Sequence, residues 1–121
     1  MKLAAGIVVG LVALLHLYFL VLEMFLWDTP FGRRALGMAP EQSAATKVLA
    51  MNQGLYNGFL AAGLLWSLWL RQAGSTFALP IAVFFLGCVV LAGVFGATTG
   101  PRKIFWVQAL PALVALVLLY L

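Results

Sequence analysis

Four apolar stretches, about Leu3 to Trp27, Val48 to Leu70, Phe77 to Ala97 and Ile104 to Leu121, take up most of this chain. Each is long enough, as a helix of about 20 residues, to cross a hydrocarbon layer roughly 30 Å thick. A backbone in hydrocarbon has to satisfy its own hydrogen bonds, so the stretches predict helices. The expected fold is all-α: an antiparallel bundle of four transmembrane helices forming one domain over residues 1–121. Of the 121 residues 65% are hydrophobic and 8% charged, and the mean hydropathy is +1.12. A soluble domain carries about 25% charged residues, so that class is excluded. The apolar run after Met1 and Lys2 is too long for a signal core and no small-residue cleavage site follows it, so it reads as a retained span.

The basic residues fall unevenly between loops. Arg33, Arg34, Lys47, Arg102 and Lys103 lie in the first and third loops, against Lys2 and Arg71 on the other side. The positive-inside rule then places loops one and three in the cytoplasm and both termini outside. Scattered over short loops, the net charge of +4 forms no basic stripe and points to lipid and topology rather than nucleic acid. Loop one runs from Asp28 to about Thr46, and Pro40 followed by Glu41 starts the second helix near residue 40, ahead of the membrane. The Arg33-Arg34 pair reads as a topology determinant, with lipid phosphate as the other reading. Trp27, Trp66, Trp69, Trp106 and Tyr120 fall near the expected boundaries, as an interfacial belt requires. The single cysteine, Cys88, excludes an internal disulfide and reads as a small packing residue.

Glu23 is the residue an apolar helix would not carry without cause. A charge in hydrocarbon costs several kcal/mol, which makes an intramembrane carboxyl a functional-site candidate. His16 precedes it by seven residues, nearly on the same face but roughly 10 Å away along the axis, so each needs a partner from another helix. That separation also excludes shared metal ligation within one subunit, and neither a metal nor a cofactor is expected. The second stretch offers Asn52, Gln53, Tyr56 and Asn57 within about 140° of its circumference, with Gly54 and Gly58 outside that arc. Counted from the loop-one side, Glu23 should lie level with Asn52 and Gln53, and His16 with Tyr56 and Asn57. Gln108, near the start of the fourth stretch, should join the Glu23 layer. The expected site is therefore a polar chamber of His16, Glu23, Asn52, Gln53, Tyr56, Asn57 and Gln108 that opens to the cytoplasm. Interhelical glue is the alternative for the amides.

The runs His16-Leu-Tyr-Phe-Leu-Val-Leu-Glu23-Met-Phe-Leu-Trp27 and Asn52-Gln-Gly-Leu-Tyr-Asn-Gly58-Phe-Leu-Ala-Ala-Gly63 resemble the small bacterial membrane family known as domain of unknown function 1304. The resemblance extends through Gly93 to Ala97 and Gln108-Ala-Leu-Pro111-Ala, and so covers nearly the whole chain. It implies a four-span protein of the bacterial inner membrane and carries no activity with it.

Three functions fit these residues. One is binding or proton-coupled transport of a small lipophilic or cationic solute, with Glu23 taking substrate or proton, His16 relaying the proton, and a homo-oligomer, dimer or trimer, completing the path. Another is a membrane enzyme acting on a lipophilic substrate, with His16 or Glu23 as acid and base. The last is an accessory membrane subunit. Transport is preferred to catalysis because short helices without a sizeable loop offer little to dehydrate a reaction centre.

Overall fold

A computed structural model describes residues 1–121, and they are all-helical. The order is α1 (Leu3–Phe25), α2 (Pro30–Leu36), α3 (Pro40–Gln72), α4 (Ala78–Thr99), a π-helical turn (Phe105–Ala109) and α5 (Leu110–Leu119). Two helices, α1 and α4, are long and apolar enough to cross a membrane, and Phe105–Leu119 is a shorter apolar helix. The 33-residue α3 starts at Pro40 as the proline and Glu41 predict, and it is longer than the apolar stretch it contains.

The chain divides into two compact units, one of Met1–Leu14 with Leu60–Leu121 and the other of Leu15–Phe59. In the first unit the core is built from small and β-branched residues. Val9, Val12, Leu64, Leu86 and Val89 pack with Ala5, Ala13, Ala82, Ala112 and Ala115, all with almost no exposed surface. Such residues let helix backbones approach closely, which is how apolar helices associate where burial from water gives no drive. A Cβ on Gly63 would stand 2.3 Å from the ring of Phe85, and one on Gly93 would stand 2.7 Å from the amide nitrogen of Ala109.

The π-helical turn has a cause in the sequence. Pro111 has no N–H to give the carbonyl of Val107, and its ring crowds that carbonyl. The helix answers by widening just ahead of the proline: the Leu110 amide reaches back five residues to the Phe105 carbonyl before α-helical spacing resumes.

The second unit holds the end of α1, all of α2 and the first half of α3. Thr29 caps α2, its hydroxyl accepting from the Gly32 amide at 3.2 Å, with Pro30 at the first helical position. Gly37 closes the helix in the left-handed conformation, φ 64°. This short helix lies where the sequence suggests only a loop. It packs so tightly that a Cβ on Gly32 would fall 1.9 Å from the Leu26 carbonyl oxygen.

Glycine sterics give a direct check on this packing. G32A should cost about 1–3 kcal/mol or more in unfolding free energy, because backbone cannot yield as a side-chain end can. G87A should cost nothing measurable, since a Cβ there meets no atom within 4 Å. Equal losses for the two variants, measured by unfolding in mixed micelles, would contradict the packing described.

Candidate functional site

The site belongs to the second unit, and its geometry is set by how closely α3 lies against α1. At Gly54 a Cβ would stand 2.5 Å from Met24 Cγ, 3.1 Å from Glu23 Cβ and 3.2 Å from the Leu20 carbonyl. At Gly58 it would stand 2.7 Å from a Leu20 methyl. The two glycines thus form a groove in α3 that receives Leu20, Glu23 and Met24 of α1. Side chains beside that groove meet α1, and those opposite do not.

Rotation around α3 then separates the polar residues. Measured from the midline of Gly54 and Gly58, Asn57 is turned by about 80°, Gln53 by about 120°, Asn52 by about 140° and Tyr56 by about 180°. Asn57 is half-buried, and its Nδ2 donates to Glu23 Oε1 at 2.5 Å. Asn52, Gln53 and Tyr56 are exposed, and the Tyr56 ring leans on Phe59 at 6.0 Å between centroids. The structure therefore joins Glu23 to Asn57, leaves Gln53 and Tyr56 exposed on α3, and places Asn52 on an open surface hollow that it lines with Met24.

This pairing corrects the depth expected from the sequence. Counting from the boundaries puts Glu23 level with Asn52 and Gln53, and His16 level with Tyr56 and Asn57. In the structure Glu23 Cβ lies against Gly54, one or two residues past Asn52 and Gln53, its carboxyl reaches on to Asn57, and Gly58 meets Leu20. The helix ends at Phe25, short of Trp27, and residues 26–29 form turns before α2.

His16 lies two turns before Glu23 on α1, fully buried, with its ring edge-on to Phe19 at 5.4 Å between centroids. The Asn57 amide donates to Glu23. Gln108 belongs to the first unit, on the π-helical turn. The glycines that sequence places on a packing face apart from the polar arc bring α3 close against α1 at Leu20, Glu23 and Met24.

Just past the end of α1 lies a second polar cluster that sequence reasoning missed. The Ser43 hydroxyl is buried and donates to Asp28 Oδ1 at 2.7 Å, and Arg33 donates to the same oxygen at 2.9 Å. Trp27 Nε1 donates to Thr46 Oγ1 at 3.0 Å. Residues 27 and 28 are thereby tied to the first turns of α3, and Arg33 brings α2 into the same knot. The Ser43 hydrogen bond, with Arg33 beside it, holds the Asp28 carboxyl below its ordinary range. Ser43 is the signal that was available: a polar residue at heptad spacing from Ala50 and Asn57 on what becomes the inner stripe of α3.

With this geometry in view, comparison with known proteins decides the family. The model of the family described as Protein of unknown function (DUF1304) matches residues 10–120. The chain belongs to the DUF1304 family. The uncharacterized protein YpaA of Lactococcus lactis subsp. lactis (strain IL1403) is 30% identical over 109 residues, 88% of each chain. No solved structure matches. The match to the DUF1304 family takes in every residue of the Glu23–Asn57 site and of the Asp28 cluster.

The lowered Asp28 carboxyl makes stability depend on pH in a defined sense. Its folded pKa lies below its unfolded one, about 3.9, so the contribution is complete above that value and is lost as pH falls through the folded pKa. Between pH 6 and pH 3 the thermal midpoint should fall further in the wild type than in D28N, and S43A should shrink the difference. Parallel pH curves for wild type and D28N would show that the cluster holds nothing.

Proposed function

We propose that this DUF1304 protein is a multi-pass protein of the bacterial inner membrane, with the Glu23–Asn57 pair as an intramembrane site for a small cationic or lipophilic solute exchanged against a proton. On this reading the chain crosses four times, over about residues 3–27, 48–70, 77–97 and 104–121, with loops one and three cytoplasmic. The length and apolar character of α1 and α4 support it, as does the excess of Lys and Arg in those two loops.

One observation carries the site: an acid in an otherwise uncharged helix faces one amide, which donates to one of its two oxygens. A carboxylate can hold a proton or an ammonium group and exchange one for the other, and the neutral amide keeps it oriented in either state. His16, buried about 10 Å away on the same face of α1, is suited to pass a proton along the helix and not to touch the same ligand. The exposed Asn52, Gln53 and Tyr56 extend a polar band along α3, which a second copy of the chain would cover.

A second reading has its own observation. Gly54 and Gly58 already lock α3 to α1, so the hydrogen bond between Glu23 and Asn57 fits a purely structural fastening in an accessory subunit.

Proteoliposomes separate the two. With purified protein and an imposed pH gradient, lipophilic cations such as tetraphenylphosphonium should drive proton flux in the wild type. E23Q should abolish that flux while keeping the fold, and N57L should lower it at least tenfold. If E23Q changes stability alone and no cation in a panel moves protons in the wild type, the fastening reading replaces transport.

A further inference from the structure

The two arginines of loop one meet different ends. Arg33 donates to Asp28 at 2.9 Å, and its charge is used within the fold. Arg34 is exposed; its Nε reaches the Pro30 carbonyl at 3.4 Å, and no carboxylate pairs with it. Phe31 lies three residues before Arg34, on the same side of α2, and is 48% exposed. The tight seat of Gly32 against the Leu26 and Trp27 carbonyls turns that side of α2 outward.

Depth gives this face a partner. Only four residues separate α2 from the end of α1, a helix long and apolar enough to cross a membrane. A helix placed there lies at headgroup level. An exposed aromatic ring beside an unpaired guanidinium is the pairing that level rewards: the ring settles among the upper acyl chains and the guanidinium forks onto phosphate oxygens. Asp28 is already neutralised by Arg33, so a headgroup of net negative charge is favoured over a zwitterionic one.

We infer that α2 is an interfacial helix whose Phe31–Arg34 face docks on anionic phospholipid, with Arg34 gripping a lipid phosphate. The two arginines then divide the work, Arg33 holding the fold and Arg34 the bilayer. The inference rests on the membrane reading above and is independent of any solute at Glu23.

The test uses the full chain in nanodiscs of mixed phosphatidylglycerol and phosphatidylcholine, with retained lipid counted by native mass spectrometry after release. The wild type should retain phosphatidylglycerol preferentially, less so at high salt. R34Q should reduce that preference about fivefold, as expected for one charge near the surface, and R34K should keep more of it than R34Q. F31A should weaken it with no change of charge. Phosphatidylglycerol retention unchanged in both R34Q and F31A, with unchanged thermal midpoints, overturns the inference. Should R34Q fail to fold, F31A decides by the same criterion. Carbonate extraction from native membranes, run in parallel, reads the membrane reading by itself: release of the wild type there would remove that reading, whereas lost lipid preference with retained membrane residence would remove the docking face alone.

Discussion

An acid in an apolar helix has to be answered by a neighbouring helix, and in this chain that demand organises the whole second unit. Glu23 is the one charged residue between Leu3 and Phe25. Its answer is the amide of Asn57. Gly54 and Gly58 let α3 lie directly on Leu20, Glu23 and Met24. The glycines therefore set the distance, and the asparagine makes use of it. Function, on the reading preferred here, grows from the same pair: a carboxylate held in place by a neutral partner is free to trade a proton for a cation.

Beyond the end of α1 the chain holds the register a second time, by different chemistry. Trp27 meets Thr46, and Asp28 gathers Ser43 and Arg33 into an ionic and hydroxyl knot. Deeper in, a single acid-amide contact does the same with no full charge opposite it. On the membrane reading proposed above, the division follows the cost of charge: ion pairs are cheap at the surface and expensive in hydrocarbon. Between the two lies the short helix α2, fixed by Thr29 at its start and Gly37 at its end.

Helix content was legible in the sequence because apolar length and hydrogen-bond demand leave an all-apolar segment little else to form. Pro40 with Glu41 marked the start of α3 correctly, and Glu23 and Asn57 stood out as polar residues in apolar surroundings. Partnership was harder to read. Depth counted in helical residues put Asn52 and Gln53 opposite Glu23, whereas Gly54 meets its Cβ and Asn57 its carboxyl. Rotation was misjudged as well: Asn52, Gln53 and Tyr56 share an arc with Asn57, yet the glycines decide which edge of that arc meets α1. The π-helical turn before Pro111 was open to prediction from proline geometry, whereas the Asp28 cluster needed Ser43 and Arg33 brought together from opposite ends of a loop.

The most direct test of this account is a double-mutant cycle on the pair it places at the centre. Unfolding free energies of wild type, E23Q, N57L and the E23Q/N57L double variant in mixed micelles give the coupling between residues 23 and 57. Side chains bonded across apolar helices couple by about 0.6 kcal/mol and at most about 1.7 kcal/mol, and the account predicts a favourable value in that range. Additive losses, with no coupling between the two positions, would mean that the acid is not answered by this amide and would contradict the register described.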